Sequence, residues 1–196
     1  IGMTLVSASE AVLKAVEKRF EATGHPANIT LVHSCGQSDR KDGIQHLAHE
    51  GLTKRIIGSH WGLQPRWMEM IANNQVEAYC LPQGQIAQLY RSMACGLPGK
   101  MSKVGLGTFI DPRVEGGKMN DRTKPLPDMV DIIEYDHEEY MFYKQIPLDY
   151  CLIRGTVCDE MGNLTTTEEA MKLEVLPAVL AAKRYGGKVI AQVKQV

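Results

Sequence analysis

Short apolar runs that end in glycine- or serine-bearing turns, each followed by a stretch with helical spacing, constrain this chain more than any other feature. Met3-Thr4-Leu5-Val6-Ser7-Ala8 reads as a buried strand. Ser9-Glu10 then opens a helix carrying Ala11, Val12, Ala15, Val16 and Phe20 on one side. That helix stops at Thr23-Gly24-His25-Pro26, and Asn28 to His33 is a second strand that runs into Ser34-Cys35-Gly36-Gln37-Ser38. The same rhythm continues with helices expected over 46–52, 65–73 and 85–94 and strands over 55–58 and 76–81. A Gly/Pro-rich stretch from Lys103 through Pro127 fits neither pattern, and irregular segments of that length are often functional. Strands over 130–134, 139–143 and 150–155, a helix over 168–184 and a strand over 188–193 complete the reading. Alternation of this kind implies an α/β fold, an open, mostly parallel sheet with helices on both faces. The 196 residues suit one domain spanning 1–196. Ligands of such sheets lie beyond the carboxyl ends of the strands.

Charge narrows the function classes. There are 22 basic and 23 acidic residues, interspersed rather than clustered, as in Lys14-Ala15-Val16-Glu17-Lys18-Arg19. Neither nucleic acid nor an anionic membrane surface is called for by such a balance. The cysteines, Cys35, Cys80, Cys95, Cys151 and Cys158, form no C-x-x-C pair and have apolar or glycine neighbours, which suits free thiols and a cytoplasmic location. No signal-peptide pattern opens the chain, and Ile1-Gly2-Met3 enters an apolar run directly, so further residues are expected upstream.

Three strand-end turns lie where a parallel sheet would place its site: Ser7-Ala8-Ser9, Ser34-Cys35-Gly36 and Pro82-Gln83-Gly84. Small residues let a ligand approach the backbone, and free N–H groups at a helix start stabilise developing negative charge on an oxygen. Ordinary connecting loops would look the same. Gln83 stands out, because an amide between Pro82 and Gly84 sits on a stiff backbone and offers both a donor and an acceptor. A turn-capping glutamine is the alternative. Gly105-Leu106-Gly107 lacks the third glycine of a dinucleotide fingerprint, since position 110 is Ile110. Gly116-Gly117-Lys118-Met119 lacks the hydroxyl residue of a P-loop. His46 and His49 beside Glu50 do not form H-E-x-x-H and read as solvated or core-edge histidines rather than metal ligands; no metal site is expected. Cys35 is a conceivable nucleophile with His33 or His60 as base, but nothing around it marks a catalytic cysteine, and a small pocket-lining residue is the simpler reading. Asp136-His137-Glu138-Glu139 reads as a solvated turn.

Taken in order, several stretches resemble the family I (glutamate-type) coenzyme A transferases, in particular the propionate and acetate CoA-transferase branch. They are Thr30 to Gln37, His49-Glu50-Gly51-Leu52, Gly58-Ser59-His60-Trp61-Gly62, Leu81-Pro82-Gln83-Gly84, Val104 to Arg113, Gly116 to Asn120 and Asp159 to Leu164. The similarity extends over essentially the whole chain and corresponds to the N-terminal, alpha-like half of such enzymes. It implies a three-layer αβα fold and a ping-pong exchange in which a glutamate attacks an acyl-CoA and then carries CoA as a thioester. In the family that glutamate belongs to the C-terminal, beta-like half, so no catalytic residue is expected here and the chain alone should be inactive. The implied partners are acyl-CoA, a small carboxylate and the C-terminal half, in an enzyme that forms homo-oligomers. No cofactor is implied, CoA thioester being a substrate. Gln83 and Gly84 match the family's P-Q-G turn, and His60 and Gly62 match the branch's H-W-G segment. Ser34 and Cys35, followed by Gly36 in the same expected substrate-binding turn, fall where ketoacid-using relatives carry asparagines and the propionate-like branch carries small residues, which favours a short acyl group such as propionyl or acetyl. Gly107 and Thr108 match a further segment. Ser7, Ala8 and Ser9 depart from the family's glycine-rich first turn and are expected to line or narrow the site. A thioester hydrolase on the same scaffold and a non-catalytic assembly subunit remain alternative readings.

Overall fold

The computed structural model describes residues 5–196. Helix α1 (Glu10–Thr23) begins with an acid in its first turn, and Gly24 ends it in a left-handed conformation with its N–H on the Phe20 carbonyl. Strand β1 (Ile29–Val32) pairs in parallel with β2 (Thr53–Gly58), and β2 with β3 (Glu77–Cys80). Helix α2 (Pro65–Ala72) lies between β2 and β3, with Pro65 in its first turn, where a missing N–H costs nothing. Helix α3 (Gln83–Ala94) follows β3 directly.

Adjacent side chains of these strands point to opposite faces, and each face has its own core. Ile56 and Ala78 pack with Leu13 of α1 and Trp67, Met70 and Ile71 of α2. Ile57 and Tyr79 pack with Ile86, Leu89 and Met93 of α3. The layers are therefore helix, sheet, helix, the arrangement expected from the alternation.

Beyond α3 the chain departs from a purely parallel scheme. Strands β4 (Gly99–Ser102), β5 (Val130–Tyr135) and β6 (Glu138–Lys144) form an antiparallel sheet in the order β4-β6-β5. Its Val130, Met141 and Tyr143 join the core under α3. Asp136 and His137 turn the β5–β6 hairpin in left-handed conformations, as a solvated two-residue turn requires. Strands β7 (Tyr150–Val157) and β8 (Lys188–Gln195) pair in parallel, with α4 (Val175–Arg184) between them in sequence and packed against α3.

Three expected elements differ. Leu5 to Ser7 form a turn rather than a strand, with Ser7 at φ 56°; Met3 and Thr4 of that expected strand lie outside the described residues. In place of a helix over 46–52 there is a short 3-10 helix (Gly43–Leu47), because Gly51 turns the chain at φ 84°. The helix expected from Glu168 begins only at Val175. Residues 168–174 are instead fastened to β7, where the Glu168 N–H donates to Thr156 Oγ1 and Glu169 accepts from Arg154.

The stretch between β4 and β5 is a run of turns built on left-handed glycines. The Gly117 carbonyl accepts from the Cys80 N–H at 2.7 Å, and the glycine lies so close to β3 that an added Cβ would stand 2.5 Å from the Cys80 oxygen. Only glycine fits there. This packing brings the turns over the carboxyl end of β3.

Candidate acyl-binding site

Strands β2 and β3 end side by side, and the loop after β4 closes over them. Ser59 and His60 from the end of β2, Cys80 to Gln83 from the end of β3, and Phe109 and Ile110 from the loop enclose a cavity of about 300 Å³. Gln83 is the first residue of α3, preceded by Pro82 in extended conformation, and no side chain caps the helix. Its carboxamide Nε2 is sealed from solvent without a hydrogen-bond partner. An unpartnered buried donor is costly unless a ligand meets it. Gly84 has nothing within 4 Å of where a Cβ would stand, leaving room beside the free N–H groups of the first turn. The combination suits a carbonyl or carboxylate oxygen.

Neighbouring turns brace this end of the sheet. The Ser59 hydroxyl donates to the Ser34 carbonyl, joining the ends of β1 and β2. Gln64 Nε2 donates to the Gly36 carbonyl at 2.9 Å, and a Cβ on Gly36 would lie 2.6 Å from that nitrogen. His33 packs its ring against Gly58 and edge-on to Trp61. Burial, aided by the nearby charge of His60, pushes its imidazole down to about 4, so it is neutral at physiological pH. Cys35 is half-buried, and burial, reinforced by Glu174, raises its thiol above the usual range. That environment disfavours a thiolate nucleophile.

The loop bearing Phe109 is held by a buried carboxylate. Asp111 accepts from the Gly107 N–H at 2.9 Å and from the Arg113 guanidinium at 2.8 Å, and Arg113 reaches on to Glu139 of β6. The Arg113 hydrogen bond, outweighing burial, holds the Asp111 carboxyl well below the usual carboxylate range.

Of the residues singled out in the sequence, Gln83 and His60 line the cavity, while Ser34 and Gly36 support its floor through Ser59 and Gln64. Gly84 adjoins Gln83 on α3, and Gly62 makes room for the His60 ring, its missing Cβ falling 2.7 Å from Cε1. Gly107 and Thr108 lie in the turn before Phe109 and are exposed. Ser7 bonds instead to Glu169 and the Met171 carbonyl, with Ala8 and Ser9 buried beside it. Ser59 belongs to the Gly58-to-Gly62 segment singled out in the sequence, Cys80 was recognisable only as part of a strand, and Phe109 lies in the stretch that offered no period. His46 and His49 lie among carboxylates of α1: the His46 ring bridges Glu17 and Glu10, and His49 bonds Glu17 at 2.7 Å. Lys14 already neutralises Glu10 and Asp42 at 3.0 and 3.1 Å.

A larger hollow of about 630 Å³ lies beside α2 and the 112–128 turns. Its two lysines are already paired, Lys118 with Asp128 and Lys124 with Asp121, and its Asn120 donates to the Ile71 and Val76 carbonyls. The smaller cavity, with its unpaired amide, is the better candidate.

Residues 12–195 match the family described as Coenzyme A transferase. The chain belongs to the coenzyme A transferase family. It is 42% identical over 194 residues to a protein of Acetobacterium woodii named caffeate CoA-transferase, covering 98% of this chain and 37% of that one. It is 31% identical over 121 residues to the acetoacetyl-CoA:acetate/butyrate CoA transferase alpha subunit of Clostridium acetobutylicum, covering 62% of this chain and 48% of the subunit. Among solved structures, the acyl-CoA transferase YdiF apoenzyme from Escherichia coli O157:H7 superposes with a TM-score of 0.94 at 36% identity, covering all of this chain and 38% of that one. The chain thus spans less than half the length of these relatives. The superposition extends over the whole chain, both helical layers and the antiparallel sheet included.

No helix among the described residues is long and apolar enough to cross a membrane. All five cysteines are free.

Proposed function

We propose that this chain forms the acyl-binding half of a CoA transferase that moves CoA between a short-chain acyl-CoA and a carboxylate. The unpartnered Gln83 amide at the uncapped start of α3, facing a cavity with no acidic side chain among its lining residues, carries the reading. The nucleophilic glutamate comes from a C-terminal half outside these residues. Its carboxylate attacks the thioester carbonyl, and CoA leaves as a thiolate, giving an acyl-glutamyl anhydride. The thiolate then attacks the glutamyl carbonyl, releasing the acyl group as a carboxylate and leaving glutamyl-CoA. The acceptor carboxylate reverses these steps.

Gln83 and the first-turn N–H groups of α3 orient the acyl oxygen and stabilise the charge it gains during attack. The turns at Ser34 to Gly36 and at Ser59 to Gly62 keep the strand ends in register beneath it. Residues 1–196 would act as one domain of this assembly, in a homo-oligomeric enzyme of the cytoplasm, where free thiols persist. The names of the relatives, an alpha subunit among them, support a second half.

The test is an assay of the chain together with its C-terminal half. CoA should pass from propionyl-CoA or acetyl-CoA to added carboxylate, with a borohydride-reducible glutamyl thioester on the other half. Release of free CoA independent of acceptor, or an assembled pair with no thioester, would refute it.

A further inference from the structure

The walls of the cavity contain no lysine or arginine. The nearest guanidinium on the same loop, Arg113, is engaged by Asp111 and Glu139 and is not free to meet a ligand. Beside Gln83, the apolar part of the lining includes Leu81, Ile110 and Phe109. Leu81 and Ile110 are core residues, but Phe109 is 42% exposed although it belongs to a loop held rigidly by Asp111 on one side and by the Gly117 N–H on its own carbonyl on the other. A large apolar side chain kept in the open by a fixed backbone has surface that a bound hydrocarbon would cover.

We propose that Phe109 is a specificity-determining residue, selecting acyl groups with an uncharged alkyl or aryl tail against those bearing a second carboxylate. The inference rests on the acyl-binding reading above and adds the substrate class. With its thioester oxygen on Gln83, an acyl group extends towards Phe109, which gains contact from each added carbon or from a ring edge. A second carboxylate at that end would lose its hydration and find no lysine or arginine in this wall. The discrimination is therefore built from apolar contact together with the absence of a lysine or arginine to pair with a second carboxylate.

The experiment compares butyryl-CoA with succinyl-CoA, which match in carbon number, and with acetyl-CoA, using the enzyme assembled from both halves. The wild type is expected to favour butyryl-CoA over succinyl-CoA in kcat/KM by roughly a hundredfold or more, the scale set by an unpaired polar group in an apolar site. Phe109→Ala should lower the butyryl-to-acetyl ratio by roughly tenfold, as loss of apolar contact along the chain predicts. Phe109→Arg should raise the succinyl-to-butyryl ratio by at least about tenfold by supplying the missing cation. Equal use of succinyl-CoA and butyryl-CoA by the wild type, or ratios unmoved by both substitutions, would overturn the proposal. Absence of transfer from every acyl-CoA would instead strike the CoA transferase reading itself, so the two failures are distinguishable.

Discussion

His33 stands edge-on to Trp61, ring centroids 5.3 Å apart and planes at 84°, and both of its ring nitrogens are sealed without a partner. Part of the residue reaches the surface, but the imidazole itself cannot hydrate a charge. Its value of about 4 lies below the ordinary 6.5, so between those values the unfolded chain takes up a proton that the folded chain refuses. Stability attributable to His33 is thus intact above pH 6.5, falls as pH drops to about 4, and is level below it. The loss amounts to on the order of 3 kcal/mol. Urea unfolding of His33→Phe, which retains the edge-on contact, should show that much less acid sensitivity across the window; an unchanged pH profile would contradict the assignment.

Removing the Gln83 amide should slow chemistry rather than unfold the chain, since its Nε2 has no partner to lose. Gln83→Ala in the assembled enzyme should reduce kcat by about 10²- to 10³-fold, the usual cost of one oxyanion donor. Gln83→Glu should do worse, by repelling the substrate oxygen. Steady-state kinetics with unchanged thermal unfolding would establish the point.

His46 behaves oppositely to His33. Burial disfavours its charge, but hydrogen bonds to Glu17 and Glu10 outweigh burial and raise it above 6.5. Its contribution is complete below the unfolded value and is lost as pH rises through the folded one. The same ion pairs, with His49 foremost, draw Glu17 down against its own burial. His46→Leu should destabilise the chain by about 2–4 kcal/mol at pH 6, because Glu17 loses a partner in a largely buried position, and by less at pH 8. Denaturant melts at the two pH values measure both.

Asp111→Asn should free the loop that carries Phe109. The depressed Asp111 carboxyl contributes stability above the ordinary carboxylate value of 3.8 and loses it as pH falls through its folded value. At neutral pH the substitution should cost about 1–3 kcal/mol, as for a broken charged hydrogen bond. Faster hydrogen exchange at the Gly107 and Arg113 amides, whose N–H groups both donate to this carboxylate, would report the loosening.

The order of strands and helices was largely readable because burial imposes a period that composition cannot hide. Ile56 and Ile57, adjacent and both apolar, could only belong to a strand covered on both faces. Gln83 was prominent because Pro82 and Gly84 isolate it between a strand and a helix. The late start of α4 was not readable, since Glu168 and Glu169 are good helix formers and only their distant partners Thr156, Arg154 and Ser7 hold them in a loop. Phe109 was equally hidden. Its position depends on Asp111 reaching back to Gly107 and on Gly117 pressing against Cys80, contacts with no local periodicity.

The division of side chains along β2 makes that strand a partition wall with a tenant on each side. Deleting one residue upstream of Ile56 would exchange every occupant, sending the α3 side's residues to α2 and the reverse. Length changes in β2 should therefore be rejected even where substitutions are tolerated, and variation in the chamber around Gln83 is channelled to the loop above it, where a residue can be altered without moving the wall.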